Sequence, residues 1–155
     1  MIDFSSNNLE GPLSNSLSSL SAVQVLDASS NKFSGPLPAS LGRLVSLSKL
    51  ILSNNLFSGS IPASLSLCSN LQLLDLSSNK LSGSIPAELG RIETLEIALN
   101  LSCNSLSGII PALMFALNKL SILDISHNLE GYLQPLADLD NLVSLNVSYN
   151  KFFWL

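Results

Sequence analysis

Apolar residues recur along the chain at fixed positions in a repeating unit. Each unit contains a segment close to the form LxLxxN, and the Asn residues that end these segments are Asn7, Asn31, Asn55, Asn79, Asn104, Asn128 and Asn150. Their spacings are 24, 24, 24, 25, 24 and 22 residues. Self-similarity at such a period indicates a solenoid. The pattern therefore predicts seven stacked coils.

The alternation of apolar and polar residues predicts a short strand in each unit. In the fourth unit Leu74 and Leu76 flank Asp75. This two-residue period places the leucines inside the coil and the residue between them outside. One strand per coil predicts a parallel sheet on the concave wall. In this unit we expect Asp75, Ser77 and Ser78 to face a partner.

The residues after the strand predict how each coil turns. The Asn side chain can satisfy backbone groups left unpaired in the turn, so the seven Asn residues are expected to form a buried ladder. Gly83 and its counterparts permit a turn that a Cβ would hinder, and Pro86 and its counterparts begin an outer segment. Leu89, Ile92 and Leu95 then follow three apart, which suits a short 3₁₀ or α-helix.

These elements predict an α/β repeat fold. The expected architecture is a right-handed leucine-rich repeat solenoid, with a parallel sheet on the concave wall and short 3₁₀ or α segments on the convex wall. Residues 1–155 would form one domain, because each coil buries its apolar faces only against its neighbours. Both ends are expected to be uncapped, since the chain begins inside a strand at Ile2 and Phe4 and stops before the Pro of its last unit.

Two units depart from the common length. The fifth has one extra residue in its segment LEIALN, which is expected to bulge the entry to the fifth strand. In the sixth, one residue is missing between Asn128 and Gly131, and Gln134-Pro135 is displaced from the usual Ile-Pro position. The sixth coil should therefore be tighter.

Composition and charge exclude several classes of protein. The 155 residues are 46% hydrophobic and 12% charged, far from the composition of a disordered chain. The net charge of -4 and the pI near 4.7 argue against a nucleic-acid surface, which would need clustered Lys and Arg. No apolar run reaches the roughly 18 residues of a bilayer span. The N-terminal segment MIDFSSNNLEG lacks the basic region of a secretory signal.

The sequence holds few groups for catalysis. It contains one His, which excludes a site with several His ligands, and it lacks GxSxG, P-loop and kinase motifs. Asp124, Ser126 and His127 are close in sequence, but in one short strand Asp124 and His127 would point to opposite faces. We therefore expect no catalytic residue, no metal and no cofactor.

Outward strand positions form columns that are the natural contact surface of a solenoid. The first column is Asp3, Asp27, Ile51, Asp75, Asn100, Asp124 and Asn146. Asp75 and Asp124 are candidate contacts for a partner, and the alternative is that Asp suits this hydrated position of the repeat. The column just before the ladder Asn is Ser6, Ser30, Asn54, Ser78, Cys103, His127 and Tyr149. From it we select His127 and Tyr149 as candidate contacts, against the alternative of an incidental surface pair.

Two modification sites and two cysteines complete the candidates. Asn100-Leu101-Ser102 and Asn146-Val147-Ser148 are N-glycosylation sequons whose Asn residues point outward. Chance occurrence is the alternative, because the chain is rich in Asn and Ser. Cys68 is expected to lie in the core of the outer segment and Cys103 on the strand wall, too far apart for a disulfide.

The unit LxxLxLxxNxLxGxIPxxLxxLxx, with its segments LSGSIP, FSGPLP and LSGIIP, resembles the plant-specific class of leucine-rich repeat. That class occurs in receptor-like kinases, receptor-like proteins and polygalacturonase-inhibiting proteins. Residues 68–108, 117–128 and 136–150 further resemble the last ectodomain repeats of peptide-hormone receptor kinases that include the root meristem growth factor receptors.

The resemblance implies recognition of a protein or secreted peptide on the extracellular side of the plasma membrane, and docking of a leucine-rich repeat co-receptor ectodomain. The Ser/Thr kinase of such a receptor is absent from this chain. The Arg-x-Arg and Arg-x-Gly-Gly motifs with which related receptors read peptides are also absent. The resemblance implies that the chain is the membrane-proximal part, where the co-receptor docks.

Two other hypotheses remain. The chain is either part of an inhibitor or receptor-like protein without a kinase, or a truncated product without independent function. The uncapped ends favour the second of these, because they would expose edge strands and the apolar core.

Overall fold

The computed structural model describes residues 1–128, 130–133 and 139–154. Within these ranges seven short strands pair in parallel and in chain order to form one sheet. The strands are Ile2–Asp3, Val25–Asp27, Lys49–Ile51, Leu73–Asp75, Ala98–Asn100, Ile122–Asp124 and Ser144–Asn146. We number the coils 1 to 7 by these strands and call their sheet the strand wall. The predicted repeat and its parallel sheet are confirmed.

The leucines of the alternating segment form the core. Leu74 and Leu76 are fully buried, whereas Asp75 between them is half-buried. The same holds for Leu50 and Leu52 on either side of Ile51 in coil 3. Burying one such side chain stabilises the fold by about 1.5–3 kcal/mol. Because each coil repeats the pattern, the core runs through the stack.

The ladder asparagines join neighbouring coils through their amides. Asn79 Nδ2 donates to the carbonyl of Leu52 in coil 3 at 3.0 Å and to the carbonyls of Leu76 and Ser77 in its own coil at 3.1 Å each. Its Oδ1 accepts from the amide of Phe57 in coil 3 at 3.0 Å. The ladder is confirmed, but its burial is uneven: Asn55 is buried, Asn7 is exposed, and the others are half-buried.

Short 3₁₀ helices form the outer side of coils 1 to 5. They are Asn15–Ser19, Ala39–Arg43, Ala63–Leu67, Ala87–Arg91 and Ala112–Ala116. A Pro precedes each of the last four, and Ser14 caps the first with its side chain. The predicted three-residue spacing is confirmed, since Leu89, Ile92 and Leu95 are all buried. Among the described residues, no helix has the length and apolarity that crossing a bilayer requires.

A second strand follows the ladder Asn in each coil, and the prediction of one strand per coil was wrong on this point. Five of these strands form a second parallel sheet: Glu10–Pro12, Lys32–Pro36, Leu56–Gly59, Lys80–Ser84 and Ser105–Ser107. The last two, Glu130–Leu133 and Lys151–Trp154, pair separately with each other. The buried Leu81 lies between exposed neighbours, as an alternating strand requires. Gly83 ends this alternation at φ +78°, a conformation that favours glycine.

The extra residue of coil 5 is accommodated where it was predicted. It lies between the buried Leu95 and the strand. The amides of Glu96 and Ile97 both donate to the carbonyl of Gln72, at 3.3 and 3.0 Å, as the corresponding pairs do in coils 3, 4 and 7. In those coils the second donor is the first strand residue, whereas Ile97 lies one residue before the strand. Register resumes at Ala98, opposite Leu73. The bulge therefore leaves the strand wall in register.

Coil 6 changes the ladder geometry. Asn150 Oδ1 accepts from the amide of Asn128 itself, at 2.8 Å. In the earlier coils the corresponding donor lies two residues after the ladder Asn, as with Phe57 after Asn55. Among the described bonds, coil 6 is thus the one place where a ladder oxygen accepts from the backbone of another ladder Asn. The predicted displacement of Gln134-Pro135 lies outside the described residues.

We expect Asn79→Ala to lower the free energy of unfolding by about 3 kcal/mol, because an unsatisfied buried backbone group costs about 1–3 kcal/mol and the change leaves such groups in two coils. Urea denaturation followed by circular dichroism measures the loss. Asn7→Ala is the control, since the exposed Asn7 amide donates within its own coil. Equal losses in the two variants would contradict the proposed role of the ladder.

We expect Gly90→Ala to destabilise the chain by about 1–3 kcal/mol, the usual cost of overpacking. A Cβ at Gly90 would lie 2.2 Å from the carbonyl oxygen of Leu113 on the next outer helix. Ser66→Ala, at the corresponding position of the coil 3 helix, adds no atom and should change little. Thermal unfolding compares the two variants, and an unchanged midpoint for Gly90→Ala would show that the outer helices are not packed this closely.

Candidate functional site

All residues that directly precede a ladder Asn have a left-handed backbone. Their φ values lie between +53° and +55°, from Ser6 to Tyr149. Coil stacking holds this conformation. The amide of Cys103 donates to the backbone carbonyl of Ser126, and the amide of His127 donates to that of Ser148, each at 3.0 Å. A left-handed backbone is unfavourable for residues other than Gly, and Asn, Asp and His adopt it more often than the rest. Ser or Asn fills the first four positions, and Cys, His and Tyr fill the last three.

His127 and Tyr149 form an exposed aromatic pair in this left-handed column. Their ring centroids are 4.2 Å apart and the ring planes meet at 13°. Tyr149 is 79% exposed and His127 is also exposed, so neither ring adds to the core. The predicted adjacency is confirmed. Their contact with a partner stays a prediction.

The first outward column, called the Asp column below, has a structural role that the sequence did not reveal. Asp75 Oδ1 accepts from the amide and the hydroxyl of Ser77, at 3.0 and 2.7 Å. Asp124 does the same with Ser126, at 2.9 and 2.7 Å. Each carboxylate therefore caps the turn that leads into the left-handed residue, as short polar side chains do in other turns. This capping gives a physical basis to the alternative interpretation, in which Asp recurs because it suits this position of the repeat.

Two expectations about this wall need correction. Ser77 does not face a partner: it is buried, because its hydroxyl turns toward Asp75. His127 does not lie on the opposite face of the strand from Asp124, because the strand ends at Asp124 and His127 follows in the turn. The Ser126 hydroxyl donates to Asp124, and the His127 ring stacks on Tyr149.

In coil 1 the cap favours the charged carboxylate. Hydrogen bonds from Ser5, first from its side chain and then from its amide, hold the pKa of the exposed Asp3 carboxyl below its usual value. In coil 7 an amide replaces the carboxylate, and Asn146 Nδ2 donates to Asp124 Oδ2 at 3.1 Å. Asn100 and Asn146 are both half-buried ends of wall strands. Asp75, Asp124 and the two sequons stay predictions as functional sites.

The cysteines lie where the sequence placed them. Cys68 is fully buried, its Sγ lies 3.4 Å from the carbonyl oxygen of Leu41, and burial raises its pKa to about 11. Cys103 is exposed in the left-handed column, and both thiols are free. Among the residues that the structure describes, no three His, Cys, Asp or Glu side chains are grouped to hold a metal.

The structure adds a shallow cleft that sequence reasoning missed. It has a volume of about 640 Å³ and is lined by Glu96, Ile97, Lys119, Ser121, Ile122 and Asn141. Ile97 and Ile122 are partly exposed there, at 36% and 42%. Two of its lining residues, Glu96 and Ile97, belong to the segment that holds the extra residue of coil 5, and this extra residue was the signal available in the sequence.

The chain matches known leucine-rich repeat proteins. The family model for the leucine-rich repeat matches residues 22–44, 46–68, 70–92 and 97–117, together more than half of the chain. The LRR receptor-like serine/threonine-protein kinase RGI1 of Arabidopsis thaliana is 73% identical over 62 residues, which are 39% of this chain and 5% of RGI1.

Solved structures of plant receptors give the same picture. The plant peptide hormone receptor RGFR1, solved in complex with RGF2, matches 94% of this chain and 23% of its own, with 48% identity and a TM-score of 0.89. The Arabidopsis receptor kinase HAESA, solved with the peptide hormone IDA and the co-receptor SERK1, matches 97% of this chain and 30% of its own, with 32% identity and a TM-score of 0.71. The resemblance to the root meristem growth factor receptor group is confirmed. This chain spans less than a third of each of these proteins.

We expect one thiol to react with a chromogenic disulfide in the folded chain and a second to react only after unfolding in urea. The first is the exposed Cys103, and the second is the buried Cys68. Cys103→Ser should abolish the native reaction without harm to the fold, because Ser30 and Ser78 occupy the same column. A reaction of both thiols under native conditions would contradict the burial of Cys68.

We also expect the stability of the chain to fall as the pH rises above 9. The unfolded chain then releases a proton near the ordinary thiol pKa of 9.0, whereas the folded chain keeps it on Cys68 up to about 11. Unfolding midpoints measured below pH 9 and near pH 11 show whether stability falls across this range. Cys68→Ala is less stable throughout because it leaves a cavity, and it should lose this part of the alkaline decline. If that decline were unchanged in Cys68→Ala, another group would be responsible.

Proposed function

This chain belongs to the leucine-rich repeat family, and from that premise we propose that it is a non-catalytic protein-recognition segment of a plant cell-surface receptor kinase. The observation that carries the proposal is the likeness to RGFR1, at 48% identity over 94% of the chain. The segment would lie on the extracellular side of the plasma membrane, and signalling would depend on a kinase elsewhere in the intact protein. Its partners would be a secreted peptide and a leucine-rich repeat co-receptor ectodomain.

The aromatic pair supports a contact surface at the end of the stack formed by coils 6 and 7. Ser occupies the left-handed column in coils 1, 2 and 4, as Ser6, Ser30 and Ser78. His127 and Tyr149 take the same backbone but remain exposed, so the core gains nothing from their size. Exposed aromatic residues are enriched among the residues that dominate protein interfaces. A partner that covers the pair would supply the missing burial.

A co-receptor ectodomain is the partner that we propose for this surface. HAESA, which this chain matches over 97% of its length, was solved with the co-receptor SERK1. His127 and Tyr149 are the contacts that we propose for this partner. The rigid wall would hold these side chains in fixed columns, so that binding requires little ordering of the chain.

We expect the double variant His127→Ser, Tyr149→Ser to bind the SERK1 ectodomain about 30-fold more weakly than the unchanged chain, as loss of a hot spot of about 2 kcal/mol would give. Surface plasmon resonance with immobilised chain, with and without RGF2 peptide, measures the change. The fold should persist, because Ser occupies this column in coils 1, 2 and 4.

The matched control is Ser6→Ala, Ser30→Ala, which alters the same column at the other end of the stack. Unchanged SERK1 binding by the aromatic double variant would remove His127 and Tyr149 from the interface. Absence of binding by the unchanged chain, both with and without RGF2, would count against co-receptor docking by this segment.

A further inference from the structure

We propose that Asn100 carries an N-linked glycan in the middle of the strand wall. The proposal rests on the extracellular placement proposed above, because only a chain that enters the secretory pathway meets the glycosylation machinery. Asn100 begins the sequon Asn100-Leu101-Ser102 and ends the wall strand of coil 5. Sequons are modified at surface positions of secreted proteins.

The cap geometry leaves the modified atom of Asn100 available. Its Oδ1 accepts from the amide and the hydroxyl of Ser102, at 3.1 and 2.7 Å. The glycan would be attached to Nδ2, and the carbonyl oxygen that caps the turn would remain. Asp27 and Asp75 make the same cap with oxygen atoms alone, so the turn does not need the amide nitrogen. Within the described part of the chain, Asn100 Nδ2 donates no hydrogen bond.

The second sequon differs at this atom. Asn146 Oδ1 caps its turn in the same way, with Ser148 at 3.1 and 2.7 Å. Its Nδ2, however, already donates to Asp124 Oδ2 on the neighbouring strand at 3.1 Å. The amide of Asn146 therefore has a place in the fold, whereas the amide nitrogen of Asn100 has none. This contrast selects Asn100.

A glycan on Asn100 would change which part of the wall a partner can reach. In the sheet register Asn100 lies directly between Asp75 and Asp124. Neighbouring strands are about 4.8 Å apart, so a sugar rooted between them covers both carboxylates. His127 and Tyr149 lie in the other column, beyond the strand ends. The glycan would therefore block a partner from the acidic candidates of coils 4 and 6.

The test is secretion of the whole chain from plant cells behind a cleavable leader, followed by intact-mass and glycopeptide mass spectrometry before and after a peptide N-glycosidase that acts on plant glycans. We expect the Asn100 peptide of the unchanged chain to lose the mass of a glycan. Asn100→Asp should abolish that shift and unfold at the unchanged temperature, because Asp occupies the position in coils 2, 4 and 6. Ser102→Thr should keep the glycan, and so should the matched control Asn146→Asp.

An unmodified Asn100 in the secreted chain would overturn the proposal, and so would a glycan found solely on Asn146. Neither result bears on recognition, which the SERK1 binding measurement reads separately. Conversely, a chain that fails to bind SERK1 but carries the Asn100 glycan would remove the proposed docking role and leave this site in place.

Discussion

The amide of the ladder asparagine is the interaction on which the stacking of the coils depends. Between the two strands of a coil the backbone reverses within a few residues, and its polar groups cannot all be paired by strand ladders. Asn55 donates to the carbonyl of Ala28 in the preceding coil and accepts from the amide of Phe33 in that coil, each at 2.9 Å. Because one side chain satisfies groups in two coils, it sets their separation and phase together. The register of both sheets then follows from the ladder, and the extra residue of coil 5 is expelled to the strand entry instead of shifting that register.

The same constraint determines the residue before each asparagine. Its backbone is left-handed in every coil, with φ between +53° and +55°, whatever the side chain. For L residues this conformation costs about 1–2 kcal/mol relative to the right-handed one, and a stacked aromatic pair returns about 0.5–1.5 kcal/mol. Ser bears the same backbone cost in this column, so the stack between His127 and Tyr149 is a small net gain in stability relative to Ser at both positions. Stacking therefore gives a modest reason for these residues in place of Ser, and contact of their exposed rings with a partner is the further reason that we propose.

The hydrophobic period was sufficient to predict the strand wall, the ladder and the outer helices, because each rests on spacing that is visible in the chain. The second sheet was missed since the segment after the Asn contains Gly83, which signals a turn, and its alternation around Leu81 is short. The orientation of Ser77 was missed for another reason: a strand period places it outward, but its hydroxyl bonds to Asp75 and turns it into the coil. Left-handed backbone at Cys103 or Tyr149 has no signature in residue type, since it is imposed by the neighbouring coil. Of the site, proximity of the aromatic pair followed from the repeat, whereas the capping role of the aspartates required coordinates.

The capping role also limits what an acidic wall can mean for recognition. Asp75 and Asp124 accept from the serine two residues on, and so does Asp27 far from the aromatic pair. A carboxylate that caps a repeated turn is explained by that turn, so its presence carries little information about a partner. A protein that read only these carboxylates would meet almost the same surface at several coils and would have no defined position along the stack. A partner can distinguish one coil from another only by residues that differ from the repeated pattern. In coils 6 and 7 such residues are His127 and Tyr149, and in coil 5 such a residue is Asn100.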